Sequence, residues 1–316
     1  MTMTIDGFRR EIMAKMNEPC EGECAIYPLD LKKDNGVKCC GITLRRKGSQ
    51  AAPVVCLESF YDRYQKGVAM EKLMDGIQDV MKRGGVTGGK IEKLVKNLGN
   101  YNLVLENLRC RLINYPANED MLKEQVFRKV SDLALVLEVV IDGGDEDSMR
   151  MRVDRKLIRE WGVPGEKLIE QALENGNRKN PAQFSSLETV LNRIWLKQQG
   201  ETGSLGQQIQ EALRIASDGE SDLRVYVLTV KNGAFGAVAA LYPGCLDTIA
   251  QGLRTDLLIL PSSIHEVMVV PYPEWGDLDD FRGMVRSVNR GYLDMEDWLS
   301  DQVYVFRRGK SVLEAA

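Results

Sequence analysis

Two Asn-Gly pairs, Asn35-Gly36 and Asn232-Gly233, each stand between stretches of strand length, and they constrain the fold more than any other feature of the 316 residues. Asparagine and glycine tolerate the positive φ that tight turns between antiparallel strands require. The segment "CAIYPLDLKKDNGVKCCGITLRRKG" therefore reads as a β-hairpin, with a third strand at "PVVCLES". "LRVYVLTVKNGAFGAVAALYP" reads as a second hairpin on the second pair.

Helical spacing falls between these groups. Phe8, Ile12, Met13 and Met16 place a helix over residues 5 to 17, and "AMEKLMDGIQDVMKR" continues in the same period. "PGEKLIEQALENGNRKNP" has Pro164 and Glu166 at its start and Gly176 near its end, the expected asymmetry of a helix. A last helix begins near Leu278. "DLALVLEVVID" is a dense, largely β-branched run of strand length, "DLLILP" and "EVMVVPY" read as further strands, and "DQVYVFRRGKSVLEA" reads as a terminal strand and hairpin. Hairpins grouped between helices, without βαβ alternation, predict an α+β fold of mainly antiparallel sheets built from β-hairpins with flanking helices. The organisation expected is an N-terminal α+β region over 1–150, a helical middle and polar linker over 151–222, and a C-terminal α+β region over 223–316.

Composition narrows the function classes. With 42 basic against 46 acidic residues the net charge is −4, which gives no global attraction to nucleic acid or an anionic membrane. No apolar run approaches the roughly 18 residues needed to span a bilayer. The seven cysteines are odd in number and include the adjacent pair Cys39 and Cys40, which suits a reducing compartment better than a secreted disulfide framework. A cytoplasmic protein is expected.

The single histidine lies in "LPSSIHEV". Ser262, Ser263, His265 and Glu266 hold the residue types of a hydrolytic triad. In an extended strand, however, Ser263 and His265 share a face from which Glu266 points away. A hydrolase would therefore need a distant carboxylate, with Asp301 as the candidate; the plain alternative is a turn between two buried strands. "GGVTGGKI" matches the phosphate-loop spacing at Gly84, Gly89 and Lys90, but a helix precedes it and Ile91 replaces the hydroxyl that would bind magnesium. Cys20 and Cys24, with Cys39 and Cys40, nominally offer four thiolates, yet adjacent strand cysteines face opposite ways. Lys82, Arg83, Lys90, Lys93 and Lys96 form a basic stretch without interleaved aromatics, more suited to a solvated helix than to nucleic acid. No cofactor is implied.

The ordered segments "CLESFYDRYQKG", "CRLINYPANEDML", "DLALVLEVVI", "EWGVPGEKLIEQALENG", "DLLILPSSIHEVMVVP" and "MVRSVNRGYLDMEDWLSDQVYVF" resemble an uncharacterised family of proteins of about this length. Its members come from gut Clostridia and other Firmicutes and are often encoded on conjugative or phage-like elements. Its landmarks here are Ser263, His265, Glu266, Leu299, Ser300, Asp301, Val303 and Tyr304. Trp161, Leu168, Ala172 and Asn175 resemble the helix of another uncharacterised Firmicute family. The resemblance implies a mobile-element setting and no activity. With no complete catalytic set, the expectation is an accessory protein that binds a protein partner, with the Ser263/His265 hydrolase and nucleic-acid binding through 82–96 as alternatives.

Overall fold

A computed structural model describes residues 3–17, 24–46, 54–81, 98–140, 150–197, 224–272, 277–310 and 312–316. Contacts divide the chain into two units, Met1–Val104 and Leu105–Ala316. Among the described residues, no helix is long and apolar enough to cross a membrane.

In the first unit, α1 (Ile5–Asn17) precedes β1 (Cys24–Lys32), β2 (Lys38–Arg46) and β3 (Val54–Cys56), an antiparallel sheet in that order. The hairpin turn is the one expected: Asn35 and Gly36 take φ of 56° and 74°, both in the left-handed region. α2 (Glu58–Gln65) follows, and residues 70–81 are helical. Phe8 and Ile12 from α1 meet Ile26, Ile42 and Val55 from the sheet and Leu73 and Ile77 from the last helix. Each of these seven side chains is buried, so one apolar stripe per helix and one face of the sheet make this core.

The second unit contains two more antiparallel sheets. β4 (Leu108–Asn114) pairs along one edge of β6 (Leu133–Val140); β5 (Phe127–Val130) and β7 (Arg150–Arg152) pair in succession along the other. α3 (Arg155–Trp161), capped by Asp154, leads to α4 (Gly165–Lys179). Leu168, Ile169, Ala172 and Leu173 of α4 are buried, and the helix packs on β4 and β6. The Cys110 thiol on this face reaches the Ile169 carbonyl.

The larger sheet has the order β13-β12-β10-β11-β9-β8, built from β8 (Ala182–Ser186), β9 (Tyr226–Val230), β10 (Leu257–Pro261), β11 (Val267–Pro271), β12 (Tyr304–Phe306) and β13 (Leu313–Ala315). Every pairing is antiparallel, as the hairpin reading requires. One face carries Val227, Leu258, Leu260, Met268 and Val270 into a core closed by Phe281 and Val285 of α5 (Leu278–Tyr292).

Two elements differ from the sequence reading. Residues after Asn232-Gly233 do not return as a strand: Gly236–Leu241 is a 3-10 turn with Ala237, Val238 and Ala239 buried. A Cβ on Gly236 would lie 2.2 Å from Thr229 Oγ1 and 2.5 Å from the His265 carbonyl, so the chain packs too closely here for strand pairing. This turn packs on β9 and β11, and also on β4. β8 is the second difference, a short polar edge strand in a stretch read as helix and linker.

Candidate functional site

Strand register collects charge on the face of the smaller sheet that lies opposite α4. Arg109 pairs with Glu138, and Glu138 with Arg152; Val136 pairs with Arg111, and Val140 with Arg150. With a period of two, Arg109, Arg111, Glu138, Arg150 and Arg152 all project from one face. Four guanidiniums thus stand beside one carboxylate.

Glu138 is 2% exposed. Its Oε1 accepts from Arg111 Nε and Nη2, each at 2.9 Å, while Arg150 Nη1 lies 3.6 Å from Oε2, outside hydrogen-bond range. Oε2 and Arg150 Nε are buried with no hydrogen-bond partner among the described residues. Arg109 donates to the carbonyls of Glu106 and Leu108, at 3.0 and 2.7 Å. Burial pushes the Arg109 guanidinium down from its ordinary value, and Arg150 and Arg178 add to this by repulsion. Burial does the same to Arg150, with Glu138 opposing and Arg111 assisting. Arg111 and Arg150 both face the Glu138 carboxylate, and among the described residues Arg109 hydrogen-bonds to carbonyls. Among the described residues, the half-buried Arg109 and Arg150 therefore carry positive charge that Glu138, bonded to Arg111, does not fully answer.

An aromatic ring takes up part of that excess. Phe235 lies 5.0 Å from the Arg111 guanidinium carbon and 4.3 Å from that of Arg150, and stacks on His265 at 5.3 Å. Each cation–ring contact contributes about 0.5–2 kcal/mol. Phe235 holds φ of 55°, a left-handed conformation that a bulky residue adopts at a cost of about 1–3 kcal/mol. The histidine secures it: the Phe235 N–H donates to His265 Nδ1 at 3.1 Å. That bond puts the ring proton on Nε2, which faces Asp297 Oδ1 at 3.3 Å. Both nitrogens are thereby engaged, and His265 positions Phe235 against the arginines.

The serines around it serve the turn. Ser263 Oγ accepts the backbone N–H of His265 at 3.0 Å and does not meet the imidazole. Ser262 lines an apolar crevice with Leu260 and Met268. Burial pushes the Glu266 carboxyl up, with His265 opposing. Asp301 is not the carboxylate that reaches His265: it accepts from Asn289 Nδ2 at 2.8 Å and Trp298 Nε1 at 3.0 Å, and the carboxylate facing the imidazole is that of Asp297. Cys20 and the segment Lys82, Arg83, Lys90, Lys93, Lys96 lie outside the described residues, and Cys24 opens β1.

The C-terminal landmarks tie the two sheets of this unit together. Ser300 Oγ donates to Asp132 Oδ2 at 2.7 Å and Tyr304 OH to Asp132 Oδ1 at 2.5 Å, while Asn114 Nδ2 donates to the Leu299 carbonyl at 2.9 Å. The model of a family of unknown function, DUF5688, matches residues 5–308. The chain belongs to that family. No curated protein and no solved structure matches it. In this DUF5688 chain, Leu299, Ser300, Val303 and Tyr304 are all buried. Trp161, Leu168, Ala172 and Asn175 are buried as well, so these recognisable residues serve packing.

Sequence reasoning passed over Arg109, Arg111, Glu138, Arg150, Arg152, Phe235 and Asp297. A signal was present. "LRCRLIN" and "RMR" place arginines at i and i+2 within strands, and "LALVLEVV" carries a single glutamate in an apolar run. Charges repeated at the strand period inside buried strands mark a polar face within a core.

Proposed function

We propose that this protein is a binding protein and not a catalyst, and that it holds an acidic segment of a protein partner against Arg109 and Arg150. The observation that carries the reading is the uncompensated positive charge. Among the described residues, Arg150 Nε is buried with no hydrogen-bond partner, and Arg109 donates to carbonyls and to no carboxylate. Guanidinium forks bind carboxylates in planar, paired geometry, and the low dielectric of a half-buried site strengthens that contact. The family resemblance favours a cytoplasmic accessory role on a bacterial mobile element, in which recognition of a protein partner is the function.

Anisotropy of a fluorescent hexaglutamate peptide on the full chain tests this. Binding that weakens with salt and falls at least about tenfold in Arg109→Gln and Arg150→Gln supports it. Equal affinity in wild type and both variants overturns it. A hydrolase working through Ser263 and His265 is disfavoured, because Nδ1 already accepts a backbone N–H and the serine hydroxyl is turned to the backbone. Ester hydrolysis abolished by Ser263→Ala in a folded variant would restore it. Retention on DNA through residues 82–96 at low salt, insensitive to Arg150→Gln, would favour nucleic acid instead.

A further inference from the structure

The first unit contains a separate cluster, independent of the arginine face. Gly41 of β2 pairs with Cys56 of β3, so Cys39 lies on the same face as Cys56, diagonally across the ladder, and the two sulfurs are bonded, which departs from the reduced cysteines expected from the sequence. Glu58, the first residue of α2, brings a carboxylate oxygen within 4.8 Å of both sulfurs. Its Oε1 accepts the backbone N–H of Cys40. Its Oε2 is buried and has no hydrogen-bond partner among the described residues.

A carboxylate oxygen withdrawn from water without a donor costs several kcal/mol unless a cation or a proton satisfies it. Two sulfurs and a carboxylate are a donor set for a borderline-soft divalent ion; magnesium and calcium take oxygen ligands alone. We propose that Cys39, Cys56 and Glu58 form a site for a thiophilic divalent cation of the zinc class, opened when the disulfide is reduced. Two equivalents of a small thiol break the Cys39–Cys56 bond, leaving two protein thiols and the reductant as its own disulfide. Binding of the ion then releases the two thiol protons to solvent. Two thiolates and one carboxylate surround the ion, leaving a fourth position for water. Thiolates on one tetrahedral ion stand about 3.8 Å apart, a separation that side-chain rotation provides with the strands in place. The Cys40 N–H on Oε1 orients the carboxylate, as outer contacts of metal ligands do. Cys40 itself projects from the opposite face of β2 and is no ligand.

The test uses the full chain, reduced and desalted without oxygen, then titrated with cobalt(II) and with zinc against a chromophoric chelator. Reduced wild type is expected to take up one ion with thiolate-to-cobalt absorption. Oxidised protein and the Cys39→Ser/Cys56→Ser variant are expected to lose that ion, whereas Cys20→Ser/Cys24→Ser retains it. Glu58→Gln is expected to weaken zinc at least about tenfold, and Glu58→Asp to shift the cobalt spectrum while retaining the ion. Absence of uptake by reduced wild type overturns the proposal. So does uptake that persists in Cys39→Ser/Cys56→Ser, which places the ion elsewhere.

Discussion

Replacing Glu138 by glutamine tests the charge arrangement directly. The change keeps side-chain shape and leaves Arg111 one amide oxygen to bond, but it removes the carboxylate shared by Arg111 and Arg150. Removing one partner of a buried ion pair costs about 3–5 kcal/mol, because the other charge remains buried. The retained amide contact offsets about 1 kcal/mol. The cation–ring contacts of Phe235 remain in both proteins and cancel, so a loss of about 3 kcal/mol is expected. With a urea dependence of about 2 kcal/mol per M, the unfolding midpoint falls by about 1.5 M. The four tryptophans, Trp161, Trp195, Trp275 and Trp298, all lie in the larger unit, so their emission reports that unit alone. Added hexaglutamate is expected to recover more stability in the variant than in wild type, since the variant holds the larger excess of positive charge. A midpoint within about 0.3 M of wild type would refute the reasoning, because the arginines would then be compensated elsewhere.

Tyr304→Phe removes a hydroxyl donor to Asp132 and is expected to cost about 1.5–3 kcal/mol, read as a fall in thermal midpoint of about 3–10 °C. Burial raises the Glu266 carboxyl, so the folded state binds that proton more tightly than the unfolded state does. Its contribution to stability is therefore greatest at low pH and is lost as pH rises from the ordinary carboxylate range through the raised value. Glu266→Gln removes that slope, and the difference in thermal midpoint between variant and wild type, measured from about pH 4 to 8, should move in the variant's favour as pH rises. The Cys245 thiol is pushed up to about 11 by burial. At pH 8 about one thiol in a thousand is ionised, and alkylation of native protein followed by peptide mass spectrometry should find this site about two orders of magnitude slower than in urea.

What the sequence made legible is local. Asn35-Gly36 carries its own turn geometry, and the start of α5 at Leu278 is marked by the cap Asp277, whose side chain accepts from the Asp279 N–H. The Pro261 to Val267 turn is bounded by two apolar runs that could only be adjacent strands. Asn232-Gly233 has the same dipeptide signal, yet its outcome is set by the close approach of Gly236 to Thr229 and His265, contacts that no local pattern encodes. The candidate site was illegible for the same reason. Arg109, Glu138 and Arg150 become neighbours through strand register, and Phe235 reaches them because His265, 30 residues on, accepts its N–H. Asp297 and Asp301 stand four residues apart, both far along the chain from His265, and the turn before β12 decides which one meets it.

Asp132 sits at the corner between β5 and β6, yet both hydroxyls that satisfy it come from residues 168 and 172 positions later. A ribosome adding about 5–20 residues per second needs roughly ten to thirty seconds to supply them. Through that interval the Asp132 carboxylate is without the two hydroxyls that satisfy it in the folded chain, and β10, once made, still awaits β12. The last strands to be synthesised are thus the ones that lock the earlier sheet, and chains truncated before Ser300 should be degraded in cells well before they can bind anything.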